Sequence, residues 1–191
     1  MGNLRITGGT LKGRRIEVPQ GDFEIRPAKD RMRESVFSIM GPLDGMSFLD
    51  LFSGSGIIAL EAASRGADPV DCVERDRGKL GLLIRNVAIA PIRIACHCVP
   101  AERFILRSEQ HYSIIFCDPP FPYAHKTDLV LSIAQRGLLA DDGRLFIHYP
   151  SEDQLPATCG SLTAIDEREY GRSRVRIYAH ADGGMATYQA P

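Results

Sequence analysis

The sequence lacks the features that would assign it to a membrane, to an oxidising compartment or to a metal centre. No apolar run in its 191 residues approaches membrane-spanning length, and the N-terminal residues lack the apolar core of a signal peptide. The five cysteines form no Cys-x-x-Cys pair, so neither a zinc knuckle nor a redox pair is predicted. Cys96 and Cys98 flank His97 in a strand-like run, where neighbouring residues face opposite sides, which favours buried thiols over a metal site. These absences predict a cytoplasmic protein without a metal.

The chain also has little net charge, −1 at neutral pH, but this charge is unevenly distributed. Residues 1–33 hold eight basic and four acidic side chains, a net +4, whereas the other 158 residues carry −5. Such an asymmetry is typical of a basic arm that meets a polyanion, although a solvated basic hairpin would give the same pattern. The candidate polyanion-binding residues are Arg5, Lys12, Arg14, Arg15, Arg26, Arg31 and Arg33.

Segments with strand and helix character alternate through the body of the chain. The predicted strands are 47–52, 70–74, 92–99, 112–118 and 144–149, and the predicted helices are 56–65, 77–88, 101–110 and 126–139. This alternation predicts an α/β protein with a parallel sheet covered by helices on both faces. Two last strands, 162–169 and 173–180, have no helix between them and predict a final antiparallel hairpin.

The N-terminal segment is predicted to be a separate small unit. Strands at 4–7 and 15–18 flank a glycine-rich turn, and a helix follows with an apolar stripe formed by Met32, Val36, Phe37, Ile39 and Met40. Arg31 and Arg33 lie off that stripe, where we expect them to face a ligand. The predicted organisation is a hairpin extension at 1–28, a main domain at 29–180 and a frayed tail at 181–191.

The first chemical motif is Asp50-Leu-Phe-Ser-Gly-Ser-Gly56, at the end of a predicted buried strand. A tight glycine turn followed by a helix presents backbone N–H groups to a ligand, and Gly54 and Gly56 permit close approach. The spacing also fits a dinucleotide fingerprint, with Glu74 placed to bind a ribose. Asp50 favours a different ligand, because a carboxylate beside the turn repels a pyrophosphate but attracts an ammonium or sulfonium. S-adenosylmethionine, which carries both cations and no phosphate, is therefore preferred over a dinucleotide.

The second motif, Asp118-Pro-Pro-Phe121, ends another predicted strand. In open parallel sheets, ligands bind at this carboxyl edge. The Asp118 carboxylate and the Pro119 carbonyl form a pair of acceptors for the two N–H groups of an amine on a planar ring, Pro120 stiffens the turn, and Phe121 can stack on the ring. Binding both hydrogens directs the nitrogen lone pair toward a methyl donor. The motif could also be a simple strand-ending turn, but together with the first motif it favours methyl transfer to nitrogen.

The chain resembles the RsmD-type bacterial 16S rRNA (guanine(966)-N(2))-methyltransferase family. The likeness extends over nearly all of residues 4–180 and is carried by these segments: Arg5-Ile-Thr-Gly-Gly, Lys12-Gly-Arg-Arg-Ile, Arg26-Pro, Asp30-Arg-Met-Arg-Glu34, the two motifs above and Glu61-Ala. The resemblance implies a Rossmann-like class I methyltransferase fold, with a seven-stranded, mostly parallel sheet that ends in an antiparallel hairpin. It also implies transfer from S-adenosylmethionine to the N2 amine of a flipped-out guanine in 16S rRNA.

The resemblance also assigns roles by position. The cofactor would be bound by Asp50, Phe52, Gly54, Ser55, Gly56, Glu74, Arg75, Ala101 and Asp118, and the catalytic clamp would be Asp118, Pro119, Pro120 and Phe121. The basic N-terminal residues would bind RNA, within the 30S subunit or an assembly intermediate, without an obligate protein partner. Pro100 departs from the family, in which an acid or amide near the adenine often precedes Ala101. Ala28 and Lys29 also depart from it, because relatives often have threonines there.

A dinucleotide-binding oxidoreductase remains a weaker alternative, and two further readings of the sequence remain open. A DNA adenine-N6 methyltransferase would use a similar clamp, but about 30 residues of hairpin are few for reading a duplex, whereas a loop base can be splayed out. An RNA-binding module with a decayed pocket is disfavoured because the three site carboxylates are intact. His111 and His148 are interpreted as edge or surface residues, since the amine can lose its proton after methylation without a strong base. Arg174 and Arg176 are interpreted as the polar face of an ordinary strand.

Overall fold

The computed structural model describes residues 2–18 and 26–181, and it contains two sheets and five helices within those ranges. The strands are β1 (Gly2–Arg5), β2 (Arg15–Val18), β3 (Phe48–Leu51), β4 (Val70–Val73), β5 (Ile94–His97), β6 (Tyr112–Cys117), β7 (Leu139–Pro150), β8 (Thr158–Cys159), β9 (Leu162–Tyr170) and β10 (Ser173–His180). The helices are α1 (Arg26–Met40), α2 (Ile57–Ser64), α3 (Arg77–Val87), α4 (Ala101–Arg107) and α5 (Lys126–Gln135). Among the described residues, no helix is long and apolar enough to span a bilayer.

The larger sheet has the strand order β5-β4-β3-β6-β7-β10-β9-β8. Pairing is parallel from β5 to β7 and antiparallel through β10, β9 and β8, so the predicted parallel sheet with a final hairpin is confirmed. The chain leaves β3 for β4 on one side and places β6 on the other. The carboxyl ends of β3 and β6 therefore flank the point where the strand order reverses, which is where open α/β sheets bind ligands.

Helices cover both faces of the sheet, as predicted. One apolar cluster joins α1, α2 and α3 to sheet residues such as Phe48 and Phe146, and the second joins α4 and α5 to residues such as Leu49 and Ile147. The two clusters take alternate residues of each central strand, which is the pattern of a sheet buried on both sides. Cys72, Cys117 and Cys159 are buried thiols, whereas Cys96 and Cys98 are only half-buried.

The boundaries differ most from the prediction around α5 and β7. Strand β7 begins at Leu139, so the segment 141–143, which separates the predicted helix from the predicted strand, lies inside β7 as an irregularity between the pairs Tyr112–Leu139 and Ile114–Arg144. Helix α5 ends at Gln135, and Gly137 adopts φ 61° soon after it. The buried Leu139 side chain explains the early start, because strand pairing brings it into the core. The two-residue β8 also adds an eighth strand to the seven expected.

The N-terminal strands form the predicted antiparallel hairpin, although its first strand is Gly2–Arg5 rather than 4–7. The hairpin docks on α2 through Glu61, whose side chain is fully buried. Thr7 N–H and Gly8 N–H donate to the Glu61 carboxylate over 2.6 and 3.3 Å. The predicted tail lies outside the described residues except for Ala181.

Arg33 does not face a ligand, and this prediction was wrong. Its side chain is 3% exposed, and its guanidinium donates to Glu61 Oε1 (3.1 Å) and to the Arg5 carbonyl (2.7 Å). The buried Glu61 carboxylate requires a cationic partner, and Arg33 is the residue of α1 that reaches it. Arg33 therefore anchors the hairpin to the helices, whereas Arg31 is exposed as expected.

Candidate active site

The turn after β3 is built from backbone conformations that few residues adopt. Phe52 has φ 66°, and Gly54 and Gly56 have φ 53° and 80°. A Cβ added to Gly56 would lie 2.6 Å from Leu83 Cδ1, so glycine is required where the turn packs on α3. A non-glycine residue at positive φ, such as Phe52, is uncommon, and this conformation costs about 1 kcal/mol or more. Such strained residues are typical of functional turns. The first motif thus forms the strand–turn–helix predicted from its glycines.

Asp50 lies in the core directly beneath this turn and is 1% exposed. The Ser53 hydroxyl donates to the Asp50 backbone carbonyl (2.7 Å), whereas Oδ2 of the Asp50 carboxylate has no hydrogen-bond partner. Burial raises the pKa of Asp50 well above its ordinary value, and repulsion by Asp118 and Glu74 adds to that rise. A buried acceptor without a partner, next to two other acids, suits a cationic ligand and opposes a pyrophosphate. These carboxylates therefore fit the cationic S-adenosylmethionine better than a dinucleotide.

Glu74 follows β4 and connects the neighbouring strand end to the turn. Its Oε2 accepts a hydrogen bond from Gly54 N–H (2.9 Å), and its Oε1 accepts one from Asp76 N–H (2.8 Å). A carboxylate oxygen can accept more than one hydrogen bond, so both oxygens keep the capacity to accept from ribose hydroxyls. The structure thus places Glu74 beside the turn, as the predicted ribose-binding role requires.

Ser55 lies in the turn itself and is half-buried, and Arg75 is exposed just after Glu74. The Ser55 carbonyl accepts a hydrogen bond from Asn86 Nδ2 (2.9 Å). The same buried Asn86 side chain bonds both backbone groups of Glu17 in β2. Asn86 was not predicted from the sequence, and it connects the basic hairpin to the turn. Ala101 begins α4 after Pro100 and is buried.

Asp118 stands next to this turn because of the parallel register of three strands. Leu51 pairs with Cys117, Cys117 pairs with Ile147, and the Asp118 N–H donates to the Leu51 carbonyl (3.3 Å). The Asp118 side chain is 34% exposed, and Phe121 is 40% exposed. Pro119 is buried, whereas Pro120 is exposed. The acceptor and the ring of the predicted clamp are therefore accessible at the switch point.

The interpretation of His148 as an edge or surface residue was wrong. The side chain is 3% exposed, and its Nδ1 lies 2.8 Å from Asp118 Oδ1. The Phe121 ring meets it edge to face, with ring centres 5.5 Å apart. The sequence contained one usable signal: if strands β6 and β7 are parallel and both end at the ligand edge, a polar residue late in β7 comes level with Asp118. That signal depends on a register that the sequence did not supply.

Lys126 was also missed by the sequence analysis, and it fixes the segment after the clamp. Its side chain is 5% exposed, and Nζ donates to the carbonyls of Phe121 (2.8 Å) and Tyr123 (2.6 Å). The same ammonium pairs with Asp153 (2.7 Å), which satisfies its charge. On the other side, the Tyr123 hydroxyl donates to Glu102 (2.5 Å), and its ring meets Phe52. These contacts make the clamp segment a fixed structure rather than a free loop.

Most of the candidate RNA-binding residues lie on the surface. The exposed ones in the described residues are Arg5, Lys12, Arg14, Arg15 and Arg31. The Arg26 side chain lies outside the described residues, and Arg33 is buried as stated above. Arg174 and Arg176 pair with Glu169 and Glu167, in agreement with their interpretation as the polar face of a strand.

We predict that Asp50→Asn stabilises the protein while weakening its cofactor binding. The folded state raises the pKa of Asp50, so ionisation costs stability as pH rises above the ordinary carboxyl pKa. Asn removes this charge at neutral pH, and we expect a gain of about 1 kcal/mol, or about 2–4 °C in melting temperature. Affinity for S-adenosylmethionine should fall by at least about tenfold as a charged partner is lost. Scanning calorimetry measures the melting temperature and titration calorimetry measures the affinity, each for the wild type and for Asp50→Asn. A stabilised variant with unchanged affinity would contradict the role of Asp50 in cofactor binding.

Comparisons with known proteins agree with this geometry. The model of the family described as conserved hypothetical protein 95 matches residues 4–179. Ribosomal RNA small subunit methyltransferase D of Escherichia coli is 31% identical over 179 residues, which cover 93% of this chain and 90% of that protein. YlbH of Bacillus subtilis, named as a candidate rRNA methyltransferase, is 32% identical over 92% of this chain and 98% of its own length. The solved structure of yhhF from Escherichia coli, described as a candidate methyltransferase, superimposes with a TM-score of 0.82 at 30% identity and covers 94% and 98% of the two chains. These matches confirm the predicted Rossmann-like methyltransferase fold.

Proposed function

Since the chain belongs to the family of conserved hypothetical protein 95, the RsmD-type family, we propose that it is an S-adenosylmethionine-dependent rRNA methyltransferase that modifies the exocyclic N2 amine of a guanine in 16S rRNA. One observation carries the proposal. The accessible Asp118 and Phe121 stand at the switch point of the sheet, beside a glycine turn whose buried Asp50 has an acceptor without a partner. The chain thus combines a site for a cation with a site for a planar amine.

The proposed cofactor site is formed by residues at the ends of β3 and β4. Asp50 provides the negative charge, Gly54 to Gly56 allow close approach of the backbone, and Glu74 offers its carboxylate oxygens to hydroxyl groups. S-adenosylmethionine supplies an activated methyl group on a sulfonium when it is bound. The proposed adenine-side residues are Arg75 and Ala101.

The chemistry assigned to the chain itself is orientation of the amine. The Asp118 carboxylate and the Pro119 carbonyl accept its two hydrogens, and Phe121 stacks on the ring to fix its plane. With both hydrogens bound, the nitrogen lone pair is drawn out of conjugation and directed at the methyl donor. The new N–C bond forms as the donor's S–C bond breaks, and the surplus proton then leaves the nitrogen for Asp118 or solvent.

The basic hairpin supplies a surface for the RNA backbone, and Asn86 connects its strand β2 to the glycine turn of the site. Arg5, Lys12, Arg14 and Arg15 are exposed on a unit that packs against α2. Exposed Lys and Arg bind phosphates without reading sequence, whereas the clamp requires a base that is already splayed out or extruded. We therefore propose a looped guanine in the small ribosomal subunit, or in an assembly intermediate, as the substrate in the cytoplasm.

The test is transfer of radiolabel from S-adenosylmethionine, followed by identification of the modified nucleoside. The acceptors are 30S subunits and total RNA that lack the modification, tRNA and unmethylated DNA, each incubated separately. N2-methylguanosine in 16S rRNA is the expected product, and preference for 30S over naked RNA would assign the enzyme to a late stage of assembly. N6-methyladenine in DNA would overturn the substrate while sparing the clamp chemistry. Absence of both transfer and cofactor binding would overturn the proposal.

A further inference from the structure

His148 contacts both working parts of the clamp. The parallel pairing of Cys117 with Ile147 brings the next residues of the two strands level, so that Nδ1 of His148 lies 2.8 Å from Asp118 Oδ1. The edge-to-face contact with Phe121 places the same imidazole against the stacking ring. One buried side chain on β7 thus supports the hydrogen-bond acceptor and the aromatic surface of the site.

The chemistry of this contact determines which atom donates the hydrogen bond. An ionised carboxylate can only accept hydrogen bonds, so the Nδ1 atom of His148 must carry the hydrogen. The bond occupies Oδ1 of Asp118 and leaves Oδ2 for a substrate amine. The side-chain carboxylate of an aspartate rotates over a broad range, and at 34% exposure Asp118 has room to do so. A donor fixed in a buried strand restricts that rotation.

Packing alone does not account for a histidine at this position. His148 pairs across the sheet with Val175, and its neighbours Phe146 and Ile147 are apolar and fully buried. A buried imidazole needs a partner to offset the loss of hydration, and the partner seen here is the clamp carboxylate. An apolar residue of similar volume would fill the space without orienting Asp118.

We propose that His148 is a positioning residue for methyl transfer: its Nδ1–H sets the Asp118 carboxylate, and its ring sets Phe121, so that the amine is held in line for attack. This inference rests on the proposed function. It assigns the effect of His148 to turnover rather than to cofactor binding, because the imidazole contacts the clamp residues Asp118 and Phe121. A displacement of about 1 Å at a reacting group can cost about 100-fold in rate, so the contribution should be large.

The experiment compares four variants of the full chain. His148→Phe keeps a ring against Phe121 and removes the donor, His148→Leu removes both, and His148→Asn keeps a donor near the Nδ1 position. His111→Phe is the matched control, because His111 is exposed and outside the site. We expect kcat to fall about 10- to 100-fold in the Phe variant and further in the Leu variant. The Asn variant should recover most of it, while the KM for RNA and the affinity for S-adenosylmethionine stay within about twofold of wild type.

A double-mutant cycle with Asp118→Asn tests whether His148 acts through Asp118. If it does, adding His148→Phe to Asp118→Asn causes little further loss of kcat. Three results would overturn the inference. The first is a wild-type kcat in His148→Phe, and the second is an equal loss of kcat in His148→Asn and His148→Phe when both keep the wild-type melting temperature. The third is a double variant whose loss of kcat equals the product of the two single losses. Failure of the proposed function is a separate outcome, in which the wild type itself transfers no methyl group. Imidazole NMR of the wild type, which should show an Nδ1–H signal that Asp118→Ala shifts, checks the hydrogen bond independently of turnover.

Discussion

Asp118→Asn is expected to lower kcat by at least about 100- to 1,000-fold, the cost typical of losing one group that stabilises developing charge. The amide turns one acceptor into a donor, which points at the amine hydrogens instead of binding them. It also removes one of the three carboxylates at the proposed cation site, so affinity for S-adenosylmethionine should fall, but far less than turnover, because Asp50 and Glu74 remain. Single-turnover transfer and calorimetric titration of the cofactor measure the two effects.

The matched control is Asp142→Asn, which removes a carboxylate from an exposed position in β7. It should leave both turnover and cofactor affinity at wild-type values. Two outcomes would contradict the assignment of Asp118. Retained turnover would place the chemistry elsewhere, and an equal loss of cofactor binding would make Asp118 part of the cofactor site alone.

The parts of the site predicted from sequence are those encoded by neighbouring residues. The turn from Asp50 to Gly56 and the clamp from Asp118 to Phe121 are local motifs, and alternation of strands and helices was enough to put both at one sheet edge. A strand–turn–helix with glycines has few alternative conformations, so its geometry follows from about ten residues. Both motifs have the structural context that the sequence predicted.

The parts that were missed depend on contacts between distant residues. His148 meets Asp118 across 30 positions, and Arg33 meets Glu61 across 28. The apolar stripe of α1 was assigned from the residues of that helix alone, and Arg33 lies off the stripe. This pattern contains no information about the buried acid on α2, so Arg33 was predicted to face outward. The signal that could have corrected it was Glu61 itself, an acid among the apolar residues of Ile57–Ser64. Buried charge is rare unless it is paired, so such an acid predicts a cationic partner.

Glu61→Ala is expected to be the most destabilising of these substitutions, because Glu61 holds several groups together. Its fully buried carboxylate accepts hydrogen bonds from two backbone N–H groups, of Thr7 and Gly8, and from the guanidinium groups of Arg33 and Arg65. Removing one side of a buried ion pair typically costs about 3–5 kcal/mol, since the other charge stays buried without its partner. Urea denaturation should show a loss in unfolding free energy of about that size.

The same substitution should also release the hairpin before the sheet unfolds. Docking depends on Glu61 and on the hydrogen bonds of Ser64 to Gly8 and Leu11, so the loss of Glu61 removes one of two anchors on α2. Trypsin should then cleave at Arg5 or Arg14 under conditions in which the wild type resists, and RNA affinity should fall while cofactor binding persists. Glu34→Ala, an exposed acid on α1, is the matched control and should change stability by less than about 0.5 kcal/mol. If Glu61→Ala lowers the free energy of unfolding by less than about 1 kcal/mol, the hairpin does not depend on this carboxylate. Its apolar residues would then be its main attachment to the helices.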